Sequence, residues 1–183
     1  RSFPMLEDLR SGNQVLRKGL LGTSHLAYDP LGQLIKVTFE KQKIHFSYDP
    51  LGRRLSKILY GFTASGWKES SCEHYLYNDQ DEIGAFATPN EPKNLRVLGL
   101  ATHGNPATLS VEIGNQVFAP LLDVQGNIRR LIDLDTRSIK EGYDFSPFGE
   151  ELQKHSSTQL SPWRFASKRL DPELGLIYFG KRY

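Results

Sequence analysis

Apolar and polar residues alternate along two neighbouring stretches of the chain, which is the pattern of half-buried β-strands. The stretches cover residues 34–39 and 44–48, with a polar loop at 40–43 between them. Folding about that loop would bring three apolar pairs onto one buried face: Phe39 with Ile44, Val37 with Phe46, and Ile35 with Tyr48. The pattern therefore predicts an antiparallel hairpin over residues 34–48, apolar on one face and polar on the other.

A short motif occurs twice and predicts where these strands turn. Residues 28–32 have the sequence YDPLG, and residues 48–52 repeat it. Asp favours the first position of a tight turn, Pro fixes φ at the second, and Gly accepts the left-handed conformation that closes a hairpin with a bulge. We therefore predict positive φ at Gly32 and Gly52. Self-similarity at a spacing of about 20 residues is typical of repeat architectures.

Diverged copies of the turn continue along the chain. Residues 123–127 keep the Asp-to-Gly spacing, and residues 143–149 keep the aromatic entry, with residues 146–149 as the turn. Residues 77–84 and 171–175 are longer versions. Gly114 and Asn115 form another hairpin-type turn between the apolar runs at 109–113 and 116–118. The segment 84–105 is rich in Pro, Asn and Gly and is predicted as a long connection around one short strand at 95–98, and a second loop is expected at 153–161.

No stretch has helical periodicity, so the predicted fold class is all-β, built from antiparallel hairpin repeats. The sequence is expected to divide into four segments: a connector or diverged repeat at 1–23, hairpin repeats at 24–77, diverged hairpins with long loops at 78–161, and a C-terminal segment at 162–183.

Taken together, these motifs resemble the tyrosine-aspartate (YD) repeat family, also called Rhs, and its Rhs-repeat-associated core. Four motifs stand in the family's order, over roughly residues 24–183. They are the YDPLG turns, a D-x-x-G-N-x-R segment, a Y-D-x-x-P-F-G-E segment, and a P-x-R-F segment with its continuation. The residues that match are Tyr28, Asp29, Pro30, Gly32, Tyr48, Asp49, Pro50, Gly52, Asp123, Gly126, Tyr143, Asp144, Pro147, Phe148, Gly149, Arg164, Phe165, Asp171, Gly175, Tyr178, Arg182 and Tyr183.

The resemblance implies part of a β-sheet that spirals into a hollow shell. In bacterial relatives such a shell encloses a C-terminal toxin, so the expected partners are the rest of a parent polypeptide, its C-terminal cargo and a secretion apparatus. In animal relatives a similar barrel belongs to adhesion proteins, so the alternative is a surface module that binds a glycan or a receptor. Either function places the protein outside the cell or on its surface.

The resemblance does not extend to self-cleavage. Leu174 stands where the family usually has threonine, and the sequence ends at Tyr183, before the segment that carries the cleavage site in self-cleaving members. The absence of an initiator Met indicates a piece of a larger polypeptide. Because cutting a wound strip exposes strand edges, we expect the isolated piece to be marginally stable and to self-associate.

Composition excludes several function classes. The net charge of +2 does not favour nucleic acid or acidic lipid as a partner. Cys72 is the single cysteine, so no intrachain disulfide forms. No apolar run approaches the roughly 18 residues that a membrane span needs.

The remaining candidates for chemistry are each explained more simply by structure. Cys72 and His74 point the same way because a strand has a period of two, and His25, His45, His103 and His155 are scattered. The acidic cluster at 78–82 is predicted to be a solvated turn rather than a calcium site, and Asp133 and Asp135 are predicted to be surface residues. The basic and aromatic residues at 163–183 fit an amphipathic strand better than a nucleic-acid site. We therefore expect no enzyme activity, cofactor or metal.

Overall fold

The computed structural model describes residues 6–7, 13–19, 22–102, 105–154, 160–180 and 183. They form two compact units that divide between Tyr75 and Leu76, with Tyr183 in the second. Antiparallel strands make up most of both units, so the predicted all-β class is confirmed. Among the described residues, no helix is long and apolar enough to cross a membrane.

In the first unit, each strand pairs antiparallel with the next one along the chain. Leu26, Val37 and Ile44 lie opposite one another on adjacent strands and form a buried row. The strands are β1 (Leu6–Glu7), β2 (Gln14–Gly19), β3 (Gly22–Tyr28), β4 (Leu34–Thr38), β5 (Gln42–Tyr48), β6 (Arg54–Thr63) and β7 (Gly66–Asn78), whose last residues belong to the second unit.

The predicted hairpin of β4 and β5 is confirmed, but its predicted register is wrong. The Phe39 N–H donates to the Gln42 carbonyl at 2.7 Å, so the loop is shorter than the predicted residues 40–43. As a result, Val37 lies opposite Ile44 rather than Phe46. The shift is by two residues, and a shift of two keeps Val37, Ile44 and Phe46 on their predicted buried face.

Ile35 was predicted to be buried, and this prediction is also wrong. Ala27 lies opposite Lys36 and Tyr28 lies opposite Leu34, so Ile35 is the extra residue of a β-bulge. It is 37% exposed, whereas Leu34 takes the buried position. Simple alternation cannot show such a bulge, because every residue after it changes face.

The second unit has the same sequential pairing from β8 to β14, followed by a separate two-stranded hairpin. The elements are β8 (Asp81–Thr88), β9 (Glu91–Thr102), β10 (Asn105–Ile113), β11 (Gln116–Leu122), β12 (Ile128–Asp133), β13 (Ile139–Phe145), β14 (Glu151–Lys154), a 3-10 turn (Phe165–Ser167), β15 (Arg169–Asp171) and β16 (Leu176–Tyr178). Its core consists of Val111, Phe118, Ile128, Leu131 and Trp163.

The predicted long connection at 84–105 is instead a hairpin of two long strands, β8 and β9, that turn at Pro89 and Asn90. Pro92 lies within β9, opposite Phe86, where the ladder is interrupted by bulges. A proline is tolerated there because a bulge does not require its missing N–H. The turn at Gly114 and Asn115 is confirmed. The predicted loop at 153–161 lies mostly outside the described residues.

Candidate functional site

Four turns of the chain share one pattern of hydrogen bonds, and we call them the capped turns. They cover residues 29–33, 49–53, 123–127 and 146–150. In each, the side-chain oxygen of the first residue accepts the backbone N–H groups of the third and fifth. The first residues are Asp29, Asp49, Asp123 and Ser146. The predicted turn residues therefore serve as caps in the three aspartate copies, and in the fourth Ser146 replaces the aspartate.

The fourth residue of every capped turn is a glycine with positive φ. Gly32 and Gly52 have φ of 78° and 83°, as predicted, and Gly126 and Gly149 have 80° and 84°. Its N–H donates to the carbonyl of the first residue at 2.9–3.0 Å. Glycine is required here because a side chain would be strained in this conformation.

Each capped turn is followed by a β-bulge at the same position. The ladder skips Ile35, Leu55, Arg129 and Leu152, which each lie six residues after the first residue of their turn. The three apolar ones are exposed at 37%, 45% and 68%. The repeat is therefore a unit of strand, capped turn, bulge and strand, present in both compact units.

Successive turns of the first unit also contact each other. The Gln33 side-chain nitrogen lies 3.1 Å from where a Cβ on Gly52 would be, and the Asn13 side-chain nitrogen lies 3.6 Å from that position on Gly32. The Tyr48 hydroxyl donates to the Leu34 carbonyl at 2.8 Å. The first of these contacts links the fifth residue of one capped turn to the glycine of the next.

The segment at 160–178 is held against the second unit, and we call it the clasp. It binds the third capped turn through three hydrogen bonds. Asn127 Oδ1 accepts the Ala166 N–H at 2.7 Å, Ser167 Oγ donates to the Gly126 carbonyl at 2.7 Å, and the Ile128 N–H donates to the Arg164 carbonyl at 3.0 Å. The D-x-x-G-N segment recognised in the sequence is therefore the docking point of the P-x-R-F segment.

A buried network of charges joins the clasp to β8 and β9. Arg169 donates to Glu82 Oε1 and to Asn94 Oδ1, both at 2.6 Å. The Trp163 indole N–H donates to the same Glu82 oxygen at 3.2 Å. Arg96 donates to the Glu82 carbonyl and to the backbone of the clasp, both at 2.7 Å.

Both guanidinium groups also lie against the fully buried Trp163 ring. The Cζ atoms of Arg96 and Arg169 are 4.9 Å and 5.1 Å from the ring centre, within the range of a cation–π interaction. Burial lowers the pKa of Arg96 to about 10, and the charge of Glu82 opposes the decrease. Arg96 therefore keeps its charge at neutral pH and stays paired.

Arg164, a residue of the recognised motif, is buried in the same segment. It forms an ion pair with Glu151 and lies 4.2 Å from the centre of the Tyr143 ring. Burial raises the pKa of Tyr143, and the nearby Glu141 carboxylate adds to the increase. The Glu141 carboxylate, fully buried, accepts the N–H groups of Leu160 and Ser161.

Further motif residues lie in the clasp or pack against it. Phe165 packs on Gly149, where a Cβ would lie 2.9 Å from its ring. The Tyr183 hydroxyl donates to the buried Asp171 carboxylate at 2.7 Å, and its ring lies 5.3 Å from that of Tyr178. Gly175 closes the β15–β16 turn with φ of 60°. Other motif residues lie elsewhere. Asp144 in β13 forms an ion pair with Arg129 in β12. Pro147 and Phe148 lie in the fourth capped turn, and Arg182 lies outside the described residues.

The acidic cluster at 78–82 was predicted to be a solvated turn, which is wrong for one of its members. Asp79 and Gln80 form the turn, with φ of 53° at Asp79, but Glu82 is buried in the network described above. Its ionic partner Arg169 stands 87 positions away. The nearby sequence therefore holds no sign that the carboxylate is paired.

Asp133 was predicted to be a surface residue, but it is almost fully buried. Its Oδ1 accepts the N–H groups of Asp135 and Thr136 at 2.9 Å and 3.1 Å. The bond from Thr136 lowers the pKa of Asp133 most, burial opposes it, and the Asp135 N–H and Lys140 lower it further. Asp133 thus caps a turn.

The other candidates lie on separate elements, except for Cys72 and His74. Cys72 Sγ is 3.4 Å from His74 Nε2 on β7, as expected for residues on one face of a strand. Within the described part of the chain, no group of three or more His, Cys, Asp or Glu side chains could hold a metal ion. His103, His155 and Lys181 lie outside the described residues. The buried contacts of Glu82, Arg96 and Glu141 were not recognised from the sequence, because each residue pairs with residues far away along the chain.

The fold and the clasp define an antiparallel repeat protein built from capped turns, with a C-terminal segment bound to its second unit. No family model matches the chain, and no curated protein matches it significantly. Solved structures do match. Over 87% of its length the chain is similar to TcdB2-TccC3, with a TM-score of 0.61 and 17% identity, and to TcdB2-TccC3-Cdc42, with a TM-score of 0.62 and 17% identity.

It is also similar to the Tc holotoxin pore of Photorhabdus luminescens, with a TM-score of 0.58 and 17% identity over 87% of the chain. The chain spans 8% of the length of each of these three chains. At such identity the likeness shows a shared fold. The chain therefore has the fold of one part of the chains in these Tc toxin structures.

Proposed function

We propose that this chain is a structural module of an Rhs-type, YD-repeat β-shell, which encloses a C-terminal cargo or toxin polypeptide. The observation that carries the proposal is the unit of capped turn and bulge, which recurs four times with the same hydrogen bonds. A unit that repeats in this way can extend a sheet indefinitely, which is what a wall requires. The fold shared with Tc toxin chains supports the same function.

The module is proposed to have no chemistry of its own. The side chains that most resemble catalytic groups take structural roles, because Asp133 caps a turn and Glu82 pairs with Arg169. Its partners would be the rest of a parent polypeptide and the enclosed cargo. The module would be secreted or located at the cell surface.

The clasp offers a direct test in the full-length polypeptide that contains this chain. Arg169→Leu leaves the buried Glu82 carboxylate without its cation, a change that typically costs about 3–5 kcal/mol. We expect the C-terminal cargo to resist added protease in the parent polypeptide and to become sensitive in this variant. Arg169→Lys, which keeps the charge, should have a smaller effect, and Val124→Ala, at a fully exposed position, should have none.

Circular dichroism of each variant must show that the sheet is retained, so that sensitivity reports opening rather than unfolding. Equal sensitivity of the cargo in the parent and in Arg169→Leu would contradict enclosure. A parent that continues into adhesion domains and a membrane anchor instead of a cargo would favour the alternative function of a surface-binding module.

A further inference from the structure

A cavity of about 560 Å³ lies in the second unit, lined by residues of the fourth capped turn and of the clasp. Three aromatic rings form part of its wall. The centres of the Phe145 and Phe165 rings are 5.8 Å apart, and those of Phe165 and Phe179 are 6.5 Å apart. Leu176 and Ile177 of β16 add aliphatic surface. A space of this volume with mostly apolar walls is typical of small-molecule sites, and we call it the aromatic cavity.

Arg164 lines the aromatic cavity, and its hydrogen bonding is incomplete. The residue is 3% exposed, and its Nη1 forms an ion pair with Glu151. Its Nε and Nη2 atoms are also buried, but no group in the part of the chain that the structure describes accepts a hydrogen bond from either. Buried donors nearly always have a partner in proteins, because an unmet donor has lost its water without compensation. The guanidinium group is therefore complete only when an acceptor binds beside it.

We propose that the aromatic cavity binds a small apolar monocarboxylic acid. The Nε–H and Nη2–H bonds of a guanidinium group point in the same direction and match the two oxygens of one carboxylate. The hydrocarbon body of the acid would pack on the rings of Phe145, Phe165 and Phe179, which removes apolar area from water. This site does not depend on the enclosure of a cargo, so either proposal can fail without the other.

The charges around the cavity favour a ligand with one negative charge. Glu150 and Glu151 line the same space, and of the described residues that line it, Arg164 alone is a cation. A dicarboxylate or a phosphate ester would bring a second negative charge close to two carboxylates, with no further cation to pair it. A neutral amide offers one uncharged oxygen in place of two charged ones, and hydrogen bonds to an ionised acceptor are about twice as strong. A monocarboxylate is the acceptor that fits both the paired donors and the surrounding charges.

The test is an NMR titration of the whole chain with phenylpropionate, with hexanoate, and with phenylpropionamide as the neutral analogue. The Nε–H signal of Arg164 reports binding directly, and the indole N–H of Trp67 in the first unit serves as an internal reference. We expect a saturable shift at Arg164 and none at Trp67. The amide should bind about 10-fold more weakly than phenylpropionate. Binding of either acid supports the proposal, and the tighter of the two shows whether the cavity prefers an aromatic or an aliphatic body.

Variants separate the paired donors from general charge. Arg164→Lys keeps the positive charge but not the two parallel donors, and it should weaken binding of phenylpropionate by about 10-fold. Because this variant also disturbs a buried ion pair, Glu151→Gln provides a second readout. It keeps an oxygen for Nη1 and removes a repelling charge, so it should tighten binding of phenylpropionate by about 3-fold and leave the amide unchanged. Glu112→Gln removes the same charge at an exposed position of β10 that does not line the cavity, and should change neither.

Three results would overturn the proposal. One is the absence of a saturable shift at Arg164 with both acids at millimolar concentration, which would show that water alone completes the guanidinium group. Another is equal affinity for phenylpropionate and phenylpropionamide, because the cavity would then not recognise a carboxylate. The third is an affinity for phenylpropionate that Glu151→Gln leaves unchanged or weakens, which would place the bound carboxylate away from the ion pair of Arg164 and Glu151.

Discussion

At the scale of single residues, the fold depends on one oxygen and one glycine in each capped turn. Asp49 Oδ1 accepts two backbone N–H groups at 2.9 Å, and Oδ2 accepts Arg53 Nε at 2.7 Å. Burial acts to raise the pKa of Asp49, but the hydrogen bonds and charge of Arg53, with the bond from Leu51, hold it below its ordinary value. The carboxylate is thus ionised at neutral pH, where it is the strongest acceptor.

The glycine of the second capped turn gives the first prediction. Gly52→Ala should lower the free energy of unfolding by about 1 kcal/mol or more, because φ of 83° is strained for any residue with a Cβ. Gly61→Ala is the matched control, since nothing lies within 4 Å of its Cβ position and its φ is not left-handed. Urea denaturation of both variants measures the difference. Equal stabilities would show that the turn does not require glycine.

At the scale of elements, the turns were predictable from the sequence and the registers were not. A capped turn is closed by residues within five positions of one another, so Asp49, Pro50 and Gly52 are enough to recognise it. The bulge at Ile35 depends on how β3 and β4 pair, and no local signal marks it. For the same reason Leu34 was not recognised as a core residue.

The fourth capped turn shows that the first and fifth residues depend on each other. Where the first residue is Asp123, the fifth is Asn127, whose Nδ2 donates to Asp123 Oδ2 at 2.8 Å. Where the first is Ser146, the fifth is Glu150, whose carboxylate lies 3.4 Å from the Ser146 hydroxyl. An acidic residue at both positions would place two like charges together.

A double-mutant cycle tests this dependence. Ser146→Asp alone should not stabilise the protein, because Glu150 repels the new carboxylate, whereas Ser146→Asp with Glu150→Arg should recreate the pair of Asp49 and Arg53. We expect a favourable coupling energy of about 0.5 kcal/mol, in the range of exposed ion pairs. Thermal denaturation at low and high salt measures it. A coupling energy of zero would contradict the dependence, and one that salt does not reduce would contradict its ionic origin.

At the scale of the whole molecule, the interior contains many paired charges as well as apolar side chains. Glu82, Arg96, Glu141, Arg169 and Asp171 are all buried in the second unit. Hydrophobic periodicity cannot show such a core, because it scores each charged residue as exposed. The resemblance predicted that the P-x-R-F segment and its continuation belong to the repeat core. The partners of Arg164 and Arg169 lie on other strands, however, and became known only from the structure.

A core of this kind makes stability depend on pH, and Asp133 allows the sign to be worked out. Its pKa is lower in the folded protein than its ordinary value of 3.8. At pH values between the folded pKa and the ordinary pKa, the unfolded chain therefore binds more protons than the folded protein. Stability rises with pH across that window. The stabilisation is complete above about pH 4 and is lost as the pH falls through the folded pKa.

Asp133→Asn keeps an oxygen that can accept the N–H groups of Asp135 and Thr136 but cannot titrate. We expect the free energy of unfolding of this variant, measured by urea denaturation from pH 2.5 to 7, to decrease less steeply below about pH 4 than that of the unmodified chain. Asp135→Asn removes an exposed carboxylate from the same turn and should keep the steep decrease. If Asp133→Asn and the unmodified chain lose stability with the same slope, the buried cap does not contribute to acid unfolding, and the decrease must come from other carboxylates.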